Sequence, residues 1–430
     1  MALFIIIGIW LLVLSFAFPF FGLINYMVIL YLRPMEVNPE LIGYPIAKIF
    51  AVATLFGFLL LYKKKQKIFF NFKQDTLLFS LLFVILLSFS AGWIPRCLEV
   101  LDQMAKNVIV YMLIVGMVNS EKKLKVFIWG LLIISGILAF NTVQEFIAIN
   151  YHSLDSLNAE RLGGFSGAYF GDSNDFAVIM NVVVPLAFFM GITGRPILFR
   201  PFALFLMVLF IAALVATRAR GGIITFGVIM LGISYFGLKL PKLWHKLVSI
   251  ILVIAAIAGI FAFAPGVFKE RAETILNYKN EDTAWRRIEY WKTGIKMFLS
   301  NPLIGVGAGN YQIRYTDFGG WEKQWPVPHN MYIEVLSELG ILGFGCLFLL
   351  LFFTFKNGMA TSKILRSQKK PNLFLYSTNQ AATLSLLGYC AGGMFLAIFT
   401  YPIFYIVIAI NVAIQNIVNL SVIEKKTKLA

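Results

Sequence analysis

The stretch that decides the fold runs from residue 198 to residue 238 and reads LFRPFALFLMVLFIAALVAT, then RAR, then GGIITFGVIMLGISYFGL. It holds two apolar segments separated only by Arg218, Ala219 and Arg220. A helix of about 20 apolar residues spans the hydrocarbon core of a bilayer, and a helix satisfies its own backbone groups there. The stretch therefore predicts two membrane helices joined by a tight hairpin.

The composition of the whole chain agrees with this local pattern. Of its 430 residues, 59% are hydrophobic and only 13% are charged, and the mean hydropathy is +0.81. A soluble protein carries about 25% charged residues, so this composition excludes a soluble multidomain protein. The net charge of +16 is spread over short loops, which argues against a nucleic-acid partner. The three cysteines lack metal or disulfide spacing.

Further apolar runs predict helices near 44–62, 76–94, 104–119, 124–149, 174–193, 246–265, 331–355, 378–399 and 401–421. Residues 2–32 are broken by Pro19 and form either one kinked span or a pair of short helices. This stretch has no basic n-region or cleavage site, so we do not expect it to be a cleaved signal peptide. We predict an all-α polytopic membrane protein, one domain over 1–430 with about 12 transmembrane helices.

Lysine and arginine collect in one set of loops, at 63–73, 122–125, 195–200, 239–246, 356–370 and 425–428. Such loops are cytoplasmic as a rule, so the long loop at 266–330 is predicted to be periplasmic. Within this loop, apolar residues recur with a helical period at Trp285, Ile288, Trp291, Ile295, Phe298 and Leu299. This period predicts an amphipathic helix on the membrane surface that ends at Asn301 and Pro302.

Three clusters of charged residues lie on the predicted external face, where charge at a membrane boundary usually has a function. The first runs from Arg161 through Asp172 to Asp175, and the second is the hairpin with Arg218 and Arg220. The third contains Arg286, Arg287, the glycines from Gly305 to Gly309, His329 and Asn330.

The hairpin arginines allow two interpretations. They could be anchors that reach to lipid headgroups, or they could bind phosphate, which the planar guanidinium fork suits. Gly221 and Gly222 would then leave the next helix start open to ligand oxygens. For Arg287, packing of its stem on Trp291 is the alternative to a functional role.

His329 stands at a predicted helix start and is either structural or a general base. A helix N-terminus favours the neutral imidazole that a base requires. The stretch from Gly305 to Gly309 follows no strand, so we interpret it as a flexible turn and not as a dinucleotide loop. No Walker loop, zinc helix, serine triad or carboxylate pair is evident, so any reaction must use an already activated donor.

Four motifs follow one another along the chain: Arg218-Ala-Arg-Gly-Gly, Arg287-x-x-x-Trp291, Asn301-Pro-Leu-Ile-Gly-Val-Gly-Ala-Gly-Asn-Tyr311 and His329-Asn-x-Tyr-x-x-x-Leu-x-Glu-Leu-Gly340. Their order resembles that of the O-antigen ligase and polymerase superfamily of bacterial envelopes. The resemblance implies a glycan donor on undecaprenyl pyrophosphate, and an acceptor glycolipid, glycan or protein. It places the protein among membrane lipids in the bacterial inner membrane, with a periplasmic active site.

The resemblance also assigns roles to individual residues. It implies that Arg220 and Arg287 hold the pyrophosphate, that Arg161 is a further contact and that His329 activates the acceptor. It leaves open whether Arg218 replaces Arg220 and whether Arg286 replaces Arg287. Asn330, Glu338 and Asp175 are expected to support the site. The implied enzyme is an inverting glycosyltransferase without a metal or other cofactor.

Two other classes compete with this hypothesis. A transporter or flippase of a lipid-linked or anionic precursor would usually place charges at mid-membrane between repeated halves, whereas here they collect on one face. A scaffold for envelope assembly would explain the hydrophobicity but not the clustered external arginines.

Overall fold

The computed structural model describes residues 2–33, 43–62, 72–150, 163, 172–263, 282–320, 326–368 and 370–427. Within these ranges the regular elements are all helices, which confirms the all-α class. They are α1 Ala2–Ala17, α2 Pro19–Leu32, α3 Ile46–Gly57, α4 Phe72–Leu87, α5 Ile94–Met117, α6 Glu121–Asn150, α7 Ser173–Thr193, α8 Arg200–Thr217, α9 Arg220–Leu238, α10 Leu243–Phe263, α11 Asp282–Ser300, α12 Tyr311–Arg314, α13 Met331–Ser367, α14 Leu373–Gly392 and α15 Pro402–Thr427.

Among the described residues, eight helices are long and apolar enough to cross a membrane. They cover Lys73–Ser90, Ile94–Met117, Glu121–Ile149, Ser173–Thr193, Ile197–Thr217, Arg220–Leu238, Met331–Ser367 and Pro402–Val422. Shorter apolar helices lie at Ile7–Ala17, Pro19–Leu32, Ile46–Leu60 and Leu243–Ala258. A multi-pass membrane protein is thus supported, while the total of 12 spans stays a prediction.

The first apolar stretch is a hairpin of two short helices. The backbone leaves the helical conformation at Phe18 (φ −124°, ψ 79°), and the Asn25 side chain donates to the Ser15 hydroxyl at 3.2 Å. Residues ten apart in a straight helix would lie about 15 Å from each other. Residues 2–32 therefore form the pair of short helices and not one kinked span.

Helices α7 and α14 form the centre of the bundle. All of the apolar window of α7 is buried. Helix α14 is buried too, although it carries Ser377, Thr378, Asn379 and Gln380, which make it the least apolar of the central helices. Its polar groups bond to neighbouring helices: the Asn379 amide donates to the carbonyl of Gly358 at 2.8 Å. A buried polar group inside a membrane bundle must be paired in this way.

Contacts between helix termini show which ends of the helices meet. The Met331 amide at the start of α13 donates to the Gly393 carbonyl just after α14 at 2.7 Å. The Tyr401 hydroxyl before α15 donates to Asp175 in the first turn of α7. At the opposite end, the Asn372 amide donates to Glu121 at 2.7 Å. The described residues of the three external clusters thus lie at one end of the bundle; which face of a membrane this end occupies stays a prediction.

Helix α13 is interrupted at Gly340 (φ 62°, ψ −160°), and the segment after α11 inserts its backbone into the gap. The amides of Ile341 and Leu342 donate to the carbonyls of Pro302 (2.8 Å) and Leu303 (3.2 Å). In the other direction, residues 306 and 307 donate to the carbonyls of residues 337 (2.9 Å) and 338 (3.1 Å). The break therefore leaves these four backbone groups satisfied, as a membrane helix requires.

The glycines of the inserted segment are required by this close approach. Gly305 has φ +68°, and a Cβ there would lie 2.3 Å from the carbonyl carbon of Glu338. Gly307 has φ +100°, and a Cβ there would lie 2.5 Å from the Cα of Gly92. The segment is the predicted turn, and its backbone folds back onto the bundle, between α13 and the residues before α5.

We predict that Gly340→Ala strongly destabilises the protein, because a Cβ at this positive φ would lie 2.4 Å from the backbone of Leu303. Backbone strain of this kind costs on the order of 1–3 kcal/mol before the clash is counted. Gly345→Ala is the matched control, since a Cβ there meets nothing within 4 Å. Thermal unfolding of the purified proteins measures both, and equal melting temperatures would contradict the prediction.

Candidate functional site

The hairpin places its two arginines in different environments. Arg218 ends α8 in the left-handed conformation (φ 51°) and is only 5% exposed, with its guanidinium 5.8 Å from the ring centre of Phe146. Arg220 begins α9 and is half-buried. A side chain that reaches to headgroups keeps its charge in a polar, accessible layer. The burial of Arg218 disfavours the lipid-anchor interpretation for this residue.

The hairpin glycines serve helix packing. A Cβ at Gly221 would lie 3.0 Å from the Phe395 side chain, and one at Gly222 would lie 2.7 Å from the Cβ of Ala177. The Asn181 amide also donates to the Gly222 carbonyl at 2.8 Å. We expected these glycines to leave the helix start open to a ligand; in the structure they let α9 approach α7 and the turn after α14.

His329 lies in a short segment that is fixed at both sides. Its own backbone has φ +46°. The next residue, Asn330, caps α13 by accepting from the amides of Tyr332 (2.9 Å) and Ile333 (3.1 Å), and its side-chain amide donates to the Met394 carbonyl at 3.3 Å. Asn330 therefore supports the site by fixing the start of the helix directly after the histidine.

Burial and charge keep the His329 imidazole neutral. The pKa of His329 is lowered to about 4, first by burial and then by the positive charge of Arg287, while Asp172 acts in the opposite direction. From the sequence we predicted a neutral imidazole because of the helix start, but burial is the larger cause. The same interactions show that Arg287 of the third cluster and Asp172 of the first cluster lie within electrostatic reach of His329.

Helix α11 confirms the predicted helix in the long loop, and it ends at Ser300 as expected. One face, with Tyr290, Thr293 and Met297, is buried. The apolar residues Trp285, Ile288, Ile295 and Leu299 lie on another face and are exposed. That exposed face fits the predicted contact with a membrane surface, which stays a prediction.

Two hydrogen bonds connect α11 to the rest of the site. The Trp291 indole donates to the Pro328 carbonyl at 2.9 Å, directly before His329. The Tyr311 hydroxyl donates to the Tyr290 carbonyl at 2.6 Å. Helix α11 thus carries Arg287 and also holds the histidine segment. Trp291 has this role in addition to any packing against the arginine stem.

The two arginines at the start of α11 have different surroundings. Arg286 is exposed, whereas Arg287 is half-buried and acts on the histidine. This difference favours Arg287 as the functional member. Arg161, the predicted further contact, lies outside the described residues.

Glu334 is a residue of this end of the bundle that was not predicted from the sequence, and with Glu338 it forms a carboxylate pair that was not predicted either. Glu334 lies one turn before Glu338 on α13 and within electrostatic range of Glu338 and Asp175. The sequence does contain a signal for this pair, because the two glutamates are four residues apart and that spacing places both side chains on one helix face. Glu338 accepts from the amides of Gly309 (2.7 Å) and Tyr311 (3.1 Å), so it anchors the inserted segment.

In the part of the chain that the structure describes, no group of three or more His, Cys, Asp or Glu side chains is placed to hold a metal ion. The prediction of metal-independent chemistry is not tested by this observation.

Comparison with known families identifies one domain. Residues 202–348 match the family model described as O-antigen ligase. This segment contains the hairpin, α11, the inserted glycine segment, His329 and Glu338 and leaves Arg161 and Asp175 outside. It confirms the resemblance to the O-antigen ligase and polymerase superfamily. No curated protein shows a significant sequence match to the chain.

We predict that Trp291→Phe loosens the His329 segment, because it removes the hydrogen bond to the Pro328 carbonyl. A bond of this kind contributes about 1 kcal/mol, so the amides of Val327 and of residues 329–333 should exchange with deuterium roughly fivefold faster. Trp129→Phe, which lies at the opposite end of the bundle and stacks on Phe202, is the control. Unchanged exchange at Val327 and residues 329–333 would show that the indole does not hold this segment.

Proposed function

We propose that this chain, through its O-antigen ligase domain, is a membrane glycosyltransferase that transfers a glycan from undecaprenyl pyrophosphate to an acceptor hydroxyl at the periplasmic face. The observation that carries the proposal is the pairing of a neutral His329 with Arg287. Their segments are joined by the hydrogen bond from Trp291 to the Pro328 carbonyl. A base for the acceptor and a cation for the leaving group are thus held in one framework.

The arginines are the proposed pyrophosphate site. Arg220 and Arg287 present guanidinium groups whose planar forks match phosphate oxygens. Arg218 is buried in the hairpin with Arg220 and adds positive charge at the same end of the bundle. Arg161 is proposed as a further contact on the strength of the family resemblance. Fixed cations stabilise the charge that develops as pyrophosphate leaves.

The proposed reaction is a single displacement. The acceptor oxygen attacks the anomeric carbon and forms the new glycosidic bond while the bond from that carbon to the phosphate oxygen breaks. The electron pair leaves with undecaprenyl pyrophosphate, and the acceptor proton passes to His329. Attack from the side opposite the leaving group inverts the anomeric configuration. In this scheme the arginines neutralise the leaving group, and no metal or other cofactor takes part.

We predict that His329→Ala and Arg220→Ala each reduce glycan transfer at least about 100-fold. General bases contribute on the order of 10²–10⁴, and a fixed donor that stabilises developing charge contributes on the order of 10²–10³. The measurement is mass spectrometry of the products after purified protein is mixed with a lipid-linked oligosaccharide and candidate glycolipid, glycan or protein acceptors. His245→Gln and Arg314→Ala are the controls, because His245 lies at the opposite end and Arg314 pairs with Asp317 at the surface. Full activity of either site variant would refute the assigned mechanism.

The pKa of His329 predicts an acid limit to activity. A base must be neutral, so kcat/KM should be constant above pH 5 and should fall as the pH drops through about 4, where His329 becomes protonated. In Arg287→Gln the charge that lowers the pKa is gone, so the acid limb of the residual activity should move to higher pH. Arg286→Gln should leave the limb in place. Recovery of activity at pH 7 checks that acid did not unfold the protein, and a wild-type limb near 6.5 would contradict the prediction.

A further inference from the structure

A cavity of about 200 Å³ lies between α5 and α13, at the same end of the bundle as His329. Sites that enclose a whole drug-sized ligand measure about 300–1,000 Å³, so this cavity suits one part of a larger molecule. Its polar lining comes from Arg96, Glu99 and Gln103 on α5, Gln312 after the inserted segment, and Glu334 and Glu338 on α13. The proposed mechanism assigns no role to this cavity.

The lining offers no site for the pyrophosphate group. Among the described residues that line the cavity, three side chains are acidic, and the one cation, Arg96, is bound to Glu99 at 2.9 Å. An anion placed here would therefore find its nearby cation already paired with a carboxylate. The arginines proposed for the pyrophosphate, Arg220 and Arg287, are not among the lining residues. The charges therefore separate two kinds of ligand group at this end of the molecule.

The lining suits a neutral ring that carries several hydroxyl groups. Carboxylates accept hydrogen bonds from hydroxyls, and each has about four acceptor positions, while the amides of Gln103 and Gln312 both donate and accept. Tyr311, Pro328 and Phe399 add aromatic and apolar surface against which the ring faces of a sugar could pack.

Both central carboxylates are held in place before any ligand binds. Glu338 accepts from two amides of the inserted segment, and Glu334 accepts from the Phe399 amide at 3.4 Å. Groups that are already fixed lose little conformational entropy when a ligand binds. These contacts leave further acceptor positions on the oxygens for ligand hydroxyls.

The cavity adjoins the histidine segment. Val327 and Pro328 line it, and His329 is the next residue. We propose that this cavity binds a pyranose ring of the acceptor and directs one of its hydroxyls toward His329. The identification of the ring as the acceptor rests on the proposed function. Sugar binding by the cavity does not depend on that function and is tested separately.

The test is saturation-transfer NMR on the purified full-length protein in lipid nanodiscs, with the methyl glycosides of glucose, galactose, rhamnose and N-acetylglucosamine as probes. We expect the wild-type protein to bind at least one of them. Ala397→Leu fills the cavity and Glu334→Gln replaces a carboxyl acceptor by an amide, so each should reduce the signal at least fivefold. Asp317→Asn removes a carboxylate that pairs with Arg314 outside the cavity and should retain the signal. Inorganic pyrophosphate should not displace the sugar.

Three results would overturn the proposal: no probe binds the wild-type protein, both cavity variants retain the signal, or pyrophosphate displaces the sugar. Melting temperatures identify a variant that fails to fold, and Gln103→Leu then takes its place. The failure of the proposed function looks different. In that case the wild-type protein binds sugars in the cavity but transfers no glycan from a lipid-linked donor to any acceptor.

Discussion

The backbone exchange at Gly340 is the interaction on which the site depends. A membrane helix that breaks inside the bundle leaves amide and carbonyl groups without helical partners, and each such group costs several kcal/mol in hydrocarbon. Residues 302–307 provide the missing partners on both sides of the break. Because this exchange needs close backbone approach, glycine is required at Gly305 and Gly340, where a side chain would collide with the partner backbone.

From this exchange, a continuous series of contacts reaches the proposed reaction centre. Glu338 fixes the end of the inserted segment, Tyr311 bonds to α11, and the Trp291 indole on α11 bonds to the residue before His329. Arg287 lies one turn before Trp291 on the same helix. The base and the cation are thus positioned by one framework, and preorganisation of this kind lets fixed charges act on a transition state without rearrangement.

Charge divides the same end of the bundle into two regions. Arginines from the hairpin and α11 make one region cationic, whereas the cavity between α5 and α13 has an excess of carboxylates. In the proposed reaction the first region holds the pyrophosphate and the second holds a sugar ring, with His329 beside both. Such a division helps to orient the two substrates, because the cations that suit the pyrophosphate lie outside the cavity that suits the sugar ring.

The sequence by itself determined the membrane class, most helix positions and the identity of the motif residues. These follow from local properties: about 20 apolar residues in a row form a helix in a bilayer whatever surrounds them. Its motif segments Arg218 to Gly222 and Asn301 to Gly340 lie inside the matched domain. The sequence could not show that α14, despite Asn379 and Gln380, is buried at the centre of the bundle.

Only the tertiary structure decided how the motifs meet. Three features depend on contacts between distant parts of the chain: the insertion of residues 302–307 into α13, the proximity of Glu334 to Asp175, and the burial that keeps His329 neutral. Such contacts leave no periodic signal, because they are set by the packing of helices and not by the order of residues within one helix. The sequence identified the candidate reactive groups, and packing set their surroundings, orientation and neighbours.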